Sequence, residues 1–180
     1  MFKNKARLIE IVAVTLSVAY TWMYLKGYLP WAFIPAALGA GLFAYICWNK
    51  KIYAESALQV FYIGLAGLGL IGYGNDVTIS GLFHLILLSG AVIGTVVLGV
   101  ILKKNTDAML PFLDAFTTAF SLVATWLMIN MIHENWLYWI VIDTVSIYLY
   151  AKRGLKLSSA LFLLYLLLAL DGYVEAIAIF

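Results

Sequence analysis

Seven stretches of mostly apolar residues, separated by short polar connections, follow one another along the chain. They run over residues 8–25, 30–47, 54–73, 79–101, 111–131, 135–150 and 157–175. A helix needs about 20 mostly apolar residues to cross the hydrocarbon core of a bilayer, and each stretch has roughly that length. No connection is long enough to fold as a domain. The sequence therefore predicts an all-α integral membrane protein with seven transmembrane helices.

The composition excludes several other classes of protein. Hydrophobic residues make up 65% of the 180-residue chain and charged residues 11%, whereas a soluble domain has about 45–50% and 25%. The formal net charge of +2 is too small to indicate a nucleic-acid partner. No sequence pattern resembles a metal cluster, an activated nucleophile or a phosphate-binding loop. We therefore expect no catalytic residues, no metal ligands and no cofactor.

The basic residues predict how the chain is oriented. Ten of the eleven Lys and Arg residues flank one side of the predicted membrane region, and Lys26 alone lies on the other side. Basic residues are enriched in the cytoplasmic connections of membrane proteins. The N-terminus is therefore predicted to be cytoplasmic and the C-terminus external.

The chain also matches itself at an offset of 103–104 residues. Thr21-Trp22 pairs with Thr125-Trp126, and the Ser-Ala-Leu segment at 56–58 pairs with that at 159–161. Parallel repeats of this kind build transporters with a substrate site between the two halves. We predict two parallel three-helix repeats joined by a linker helix: repeat one at about 1–75, the linker at 79–101, and repeat two at about 105–175.

Acidic side chains within the predicted helices are candidates for a site, because such groups are costly in a membrane and usually face a polar interior. Glu10, Glu55 and Asp114 are predicted in the first turns of their helices. There the helix dipole favours a carboxylate without any functional role. Asp114 also begins a polar stripe on one helix face, which favours a polar neighbourhood. The other members of this stripe on the fifth predicted helix are Thr118, Ser121 and Thr125.

Asp143 differs from these acids because it lies in the middle of the sixth stretch. An end-cap explanation does not reach that depth, although a buried partner such as Ser146 would also account for the carboxylate. Trp136 and Trp139 share its helix face at spacings i, i+3 and i+7. A tryptophan at a helix end can instead anchor the helix at the membrane interface. Two indoles above a deep carboxylate, however, suit a flat, delocalised cation.

The third stretch places Glu55, Gln59 and Tyr62 on one helix face. Gln59 pairs with Phe162 in the repeat, so the two halves differ at this depth, which suits one asymmetric ligand. The alternative is that a polar side chain joins two helices without binding anything.

Four other polar residues are expected to lie outside the site. His84 is alone on the fourth helix, and we expect it to be packed or hydrogen-bonded. His133 and Glu134 lie in an external connection and are expected to be solvated. Asp171, near the outer end of the seventh helix, is expected at a hydrated interface.

Several motifs in this chain resemble the PnuC-type vitamin transporters. They are YAESALQVFY at 53–62, LDAFTTA at 113–119, ENWLYW at 134–139 with Asp143, and YLYAK at 148–152. The resemblance implies a three-plus-one-plus-three bundle in a bacterial inner membrane. It also implies uptake of nicotinamide riboside by facilitated diffusion with alternating access, followed by trapping through a cytoplasmic nicotinamide riboside kinase.

By resemblance, Trp136 and Trp139 would hold the nicotinamide ring. The other predicted substrate-binding or gate residues are Glu55, Gln59, Tyr62, Asp114, Thr118 and Asp143. The related transporters that carry thiamine lack the WxxW pattern, so its presence favours nicotinamide riboside, and a carrier of thiamine or another ring-bearing vitamin is the alternative.

Two alternatives come from other classes of protein: a membrane enzyme with Asp143 and Glu55 as an acid/base pair, and a receptor or assembly partner. The enzyme lacks a nucleophile or metal set, and the short connections give the receptor little support. The sequence leaves assembly into a homo-oligomer open.

Overall fold

Seven helices form the described part of the computed structural model, which comprises residues 2–26, 28, 30–71, 79–130 and 132–178. In chain order they are α1 (Phe2–Leu25), α2 (Phe33–Asn49), α3 (Tyr53–Leu70), α4 (Gly81–Asn105), α5 (Pro111–Ile129), α6 (Asn135–Lys152) and α7 (Lys156–Ala178). All seven predicted helices are confirmed. The largest difference is at α1, which begins several residues before the predicted start. The predicted end of repeat one, at residue 75, lies outside the described residues.

Local sequence signals explain several helix ends. Pro111 stands at the start of α5, where its fixed φ suits a helix and its missing N–H is not needed. Ser80 caps α4 by accepting a hydrogen bond from the Phe83 backbone N–H at 3.4 Å. Lys103 and Lys104 occupy the last turn of α4, where a positive charge is favoured by the helix dipole.

Four of the described helices are long and apolar enough, by length and composition, to cross a membrane. These segments are Ala6–Met23, Gly81–Asn105, Pro111–Met128 and Lys156–Val174. The apolar helix α2 is shorter, at 17 residues. The helices α3 and α6 contain polar groups such as Gln59 and Asp143, which lower their hydropathy. The predicted site residues therefore account for part of the weaker membrane signal in these two helices.

The helices group into two compact units, Met1–Tyr73 and Gly74–Phe180. In the first unit, α2 packs against both α1 and α3. In the second unit, α4 packs against α5, α5 against α6, and α6 against α7. The predicted linker α4 is thus grouped with the second unit, and the predicted repeat boundaries stay a prediction.

A serine hydroxyl ties two helices together in the same way in both units. Ser56 Oγ donates to the Ala44 carbonyl oxygen at 2.7 Å, and Ser159 Oγ donates to the Ile147 carbonyl oxygen at 2.9 Å. Both the donors and the acceptors are 103 residues apart. The hydrogen bonds therefore support the offset found in the sequence.

The turns between helices also recur at these offsets. After α2 and α6, one residue adopts a left-handed conformation, Lys51 with φ 61° and Gly154 with φ 74°. The next residue donates its backbone N–H to the carbonyl five residues earlier, which satisfies a helix-end acceptor. These bonds run from Ile52 to Cys47 and from Leu155 to Tyr150, both at 3.0 Å or less. The turns after α1 and α5 share a similar bond at offset 104, from Tyr28 to Met23 and from Ile132 to Leu127.

An aromatic ring lies against a glycine at matching places in both units. A Cβ atom added at Gly69 would lie 2.5 Å from Cζ of Phe33, and one added at Gly172 would lie 2.7 Å from Cε2 of Trp136. Phe33 and Trp136 are 103 residues apart, as are the two glycines. Glycine permits this close approach because it has no Cβ. Both units therefore share the packing of an aromatic ring on a glycine, and Trp136 on Gly172 is the example in the second unit.

Candidate functional site

One face of α6 carries Trp136, Trp139 and Asp143, in the arrangement that the spacing predicts. Asp143 is 3% exposed, and both indoles are half-buried. Ser146, one turn beyond Asp143, is buried on the same side of the helix. This α6 face (Trp136, Trp139 and Asp143) thus combines two aromatic surfaces with a shielded carboxylate.

The two tryptophans of the α6 face differ in their surroundings. Trp136 packs on Gly172, as Phe33 packs on Gly69 in the first unit. Trp139 pairs with Ala36 at offset 103, so its ring has no aromatic counterpart there. It packs against an apolar cluster formed by α4, α5, α6 and the segment before α6. The buried members of this cluster are Ala91, Phe120, Ala124, Leu127, Ile132, Tyr138 and Ile142.

The α5 stripe (Asp114, Thr118, Ser121 and Thr125) is buried along its whole length. Thr118 is 7% exposed and Thr125 2%, and neither hydroxyl has a hydrogen-bond partner among the described residues. A buried hydroxyl without a partner costs about 1–3 kcal/mol. The stripe therefore offers two shielded groups that a ligand or a water molecule can satisfy.

The neighbouring Thr117 shows the contrast. Its hydroxyl donates to the carbonyl oxygens of Leu113 and Asp114, at 3.2 and 3.1 Å, so it is satisfied within its own helix. Thr125 was predicted as a member of the α5 stripe but not as a substrate-binding residue. The sequence feature that could have identified Thr125 as a candidate is its helical register with Thr118, which places both on one face of the helix.

On α3, the structure joins two of the predicted site residues directly. Gln59 Nε2 donates to Glu55 Oε1 at 3.1 Å, and both side chains are buried. Tyr62, one turn further along the face, is half-buried. The Gln59–Glu55 bond lies within one helix, so it fixes the amide orientation without joining two helices. This bond does not use the amide oxygen of Gln59, which can accept a hydrogen bond.

The prediction for Glu10 was wrong in one respect. The helix α1 begins at Phe2, so Glu10 lies more than one turn inside it, whereas Glu55 and Asp114 do lie in first turns. The helix dipole acts mainly within the first turn and does not explain a buried carboxylate at Glu10. The difference arises because the basic segment before residue 8 continues the helix.

The expectation that His84 is packed or hydrogen-bonded is confirmed. Its Nδ1 lies 3.4 Å from the Tyr138 hydroxyl, and its ring stacks on the Tyr138 ring with centroids 6.2 Å apart. Glu134 is exposed, as expected for a solvated side chain, and it also contacts His84. Its side chain is 55% exposed, but Oε1 lies 3.9 Å from His84 Nε2. These two side chains were separated in sequence by 50 positions, so no local pattern predicted their contact.

The residues on α3 in the first unit, and those on α5 and α6 in the second, each offer a surface for recognition. Aromatic faces, a shielded carboxylate and unsatisfied hydroxyls suit a flat cation that also carries hydroxyl groups. Within the described ranges, no three His, Cys, Asp or Glu side chains are grouped in a way that would hold a metal ion.

Known proteins resemble this chain in sequence and in fold. A family model described as "Nicotinamide mononucleotide transporter" matches residues 7–177. The nicotinamide riboside transporter PnuC of Neisseria mucosa is 27% identical over 159 residues, 77% of this chain and 60% of the relative. The protein of that name in Escherichia coli is 31% identical over 75 residues, 42% of this chain and 31% of the relative. This chain therefore spans about three fifths or less of the length of these relatives.

The fold comparison covers more of the chain. A crystal structure of the vitamin B3 transporter PnuC matches with a TM-score of 0.73 over 97% of this chain and 83% of that one. The sequence identity is 22%, so the match establishes the fold. It confirms the predicted all-α fold.

Proposed function

Because this chain belongs to the nicotinamide mononucleotide transporter family, we propose that it carries nicotinamide riboside across a membrane. The proposed mode is facilitated diffusion with alternating access. The family is one of membrane transporters and not of enzymes. Since the relatives named for the riboside are longer than this chain, the proposal for the substrate depends on the side chains of this protein.

The observation that carries the proposal is the α6 face. Nicotinamide riboside contains a flat pyridinium ring with a fixed positive charge. Indole faces attract such a cation by stacking and by their quadrupole. Trp139 presents a half-buried indole and aligns with Ala36 at the repeat offset. Asp143, one turn away and 3% exposed, would favour the positive ring electrostatically, because shielding from water strengthens the attraction.

The α5 stripe suits the ribose half of nicotinamide riboside. Ribose carries hydroxyl groups that both donate and accept hydrogen bonds. Thr118 and Thr125 are buried threonines whose hydroxyls lack partners among the described residues, and each can donate and accept in the same way. We propose Thr118 as a ribose contact and add Thr125 as a second one.

The charges of the candidate residues support the riboside over the mononucleotide. A phosphate group would bring about two negative charges close to buried carboxylates. Asp114 and Asp143 are both buried, and like charges in a shielded site repel strongly. The uncharged ribose of the riboside meets no such repulsion.

The α3 residues Glu55, Gln59 and Tyr62 are proposed as further contacts or gate residues. Gln59 is held by Glu55 and retains an amide donor and an acceptor, which match the carboxamide of nicotinamide. Asp114, in the first turn of α5, is proposed in the same role.

We also propose a bacterial inner-membrane location, with the N-terminus cytoplasmic and the C-terminus external. The asymmetric distribution of basic residues supports this orientation. A cytoplasmic kinase that phosphorylates the imported nucleoside would make net uptake one-way, because repulsion by the buried carboxylates disfavours the phosphorylated product. The outward apolar residues of the helices can face lipid or a second copy of the chain.

Uptake into liposomes tests the proposed function. The purified protein should admit labelled nicotinamide riboside until the internal and external concentrations are equal, while liposomes without protein stay empty. Excess unlabelled thiamine should leave the uptake unchanged. Accumulation above the external concentration that collapses with a sodium or proton gradient would overturn facilitated diffusion, and inhibition by low thiamine concentrations would overturn the substrate.

Gly172→Ala tests the placement of the Trp136 ring. The added methyl group would lie 2.7 Å from the indole, so the ring must tilt away from α7, and overpacking of this kind costs about 1–3 kcal/mol. We expect nicotinamide riboside to bind roughly three- to tenfold more weakly, as measured by titration of the purified protein.

Gly90→Ala is the matched control for this change. A methyl group at Gly90, on α4, meets no atom within 4 Å, so binding should keep its original affinity. Equal affinities for the two variants would remove the Trp136 ring position from the binding site.

A further inference from the structure

We propose that His84 is a positioning residue for the α6 face, and that protonation of its imidazole tightens its hold on the first turns of α6. The residues involved are the His84 cluster: His84 on α4, Glu134 just before α6, and Tyr138 on α6. The effect on ligand binding rests on the proposed function. The link between α4 and α6 does not.

The geometry of the His84 cluster places one partner at each ring nitrogen. Nδ1 lies 3.4 Å from the Tyr138 hydroxyl, which is within hydrogen-bonding range. Nε2 is buried without a hydrogen-bond partner among the described residues and lies 3.9 Å from Glu134 Oε1. The ring therefore sits between a neutral hydroxyl and a carboxylate.

The protonation state of the ring decides how well it serves both partners. A neutral imidazole serves both partners in one tautomer, with Nε2–H toward Glu134 and Nδ1 accepting from the Tyr138 hydroxyl, whereas the imidazolium donates at both nitrogens. Only the charged form also attracts the Glu134 carboxylate as an ion. Because the His84 side chain is only 17% exposed, this attraction is partly shielded from water. Protonation should therefore draw Nε2 and Glu134 together while the contact with Tyr138 persists.

Tyr138 connects this contact to the proposed binding residue. It lies next to Trp139 in the chain and is 8% exposed. Its ring belongs to the buried apolar cluster against which Trp139 packs. A change in how firmly His84 holds Tyr138 and Glu134 therefore changes the support behind the Trp139 indole.

Few other titratable groups face the ring in the described ranges. On α5, which packs against α4, the acidic residue is Asp114, in the first turn of that helix. On α6, the buried acid is Asp143, five residues after Tyr138. His133 is exposed in the segment before α6. On α4 itself, Lys103 and Lys104 stand in the last turn. Asp76 lies outside the described residues. Glu134 and Tyr138 are thus the titratable groups that contact His84, and imidazole is the side chain that ordinarily changes charge between pH 5 and 8.

The thermal stability of the ligand-free protein tests the proposal directly. The full chain in lipid nanodiscs would be melted at pH 5.5 and 7.5, as wild type and as His84→Gln. We expect His84→Gln to lower Tm by about 2–4 °C at pH 5.5 and by less than about 1 °C at pH 7.5. Glu134→Gln, at a more exposed position, should remove the same pH-dependent contribution to Tm. His133→Gln is the control, and its Tm should differ between pH 5.5 and pH 7.5 by as much as the Tm of the wild type does.

Ligand titration adds a second measurement. Nicotinamide riboside keeps its charge across this range, so a pH dependence of its binding reports on the protein. We expect about threefold tighter binding at pH 5.5 than at 7.5 for wild type and for His133→Gln, and a much smaller ratio for His84→Gln.

The two measurements separate this proposal from the proposed function. An identical pH profile of Tm in wild type and His84→Gln would overturn the role of His84, even if the riboside binds normally. A cluster-dependent Tm without any riboside binding would support the role of His84 and count against the proposed substrate.

Discussion

Replacing Trp139 with alanine is expected to raise the dissociation constant for nicotinamide riboside by about 5- to 150-fold. This range corresponds to about 1–3 kcal/mol, the scale of stacking between a base and an aromatic side chain. Trp139 is half-buried against the apolar cluster, so part of its indole is supported by packing and part of it remains accessible. Titration of the purified protein with labelled riboside measures the change.

Trp126→Ala is the matched control for this prediction. Trp126 lies on α5 in the same unit, is 40% exposed and contacts the Phe83 ring with centroids 5.9 Å apart. It should leave the affinity within about twofold of wild type. If Trp139→Ala folds normally and binds as tightly as Trp126→Ala, Trp139 has no part in the site.

Asp143→Asn is expected to reduce transport at least tenfold while the protein stays folded. Asparagine has almost the same shape as aspartate but lacks the charge that attracts a pyridinium ring. Asparagine keeps a side-chain oxygen that accepts hydrogen bonds, so we expect Tm to change little. Liposome uptake and thermal melting of the same preparation measure the two effects.

Asp171→Asn serves as the control, because Asp171 is an exposed acid on α7 in the same unit. It removes the same charge from an exposed position, and uptake should be normal. Normal uptake by Asp143→Asn would show that the buried carboxylate is a structural group only.

The helices themselves could be predicted because their signals are local. Apolar length and the polar connections located all seven, and the repeat offset paired Ser56 with Ser159, whose hydroxyls make equivalent hydrogen bonds in the structure. The register of α5 and α6 correctly predicted which polar residues share a face. Helix starts were less certain, as Glu10 shows, because basic residues before an apolar stretch can extend a helix as readily as end it.

Contacts between distant segments could not be predicted in the same way. The position of the Trp136 ring depends on Gly172, on a different helix, and nothing in either local sequence indicates that the two meet. The partners of His84 come from α6 and from the residue before it. A periodic pattern identifies the face of a helix, but packing decides what that face meets.

The two units match each other at some aligned positions and differ at others, and the two aromatic rings that lie on glycines are among the positions that match. Near these rings both units use the same construction, with Phe33 on Gly69 and Trp136 on Gly172. Further along α6 the aligned residues differ. At the offset of 103, Trp139 aligns with Ala36 and Asp143 aligns with Ala40. Selectivity for a different cargo can therefore be engineered at the positions that differ, while the ring-on-glycine contacts are kept as a fixed frame.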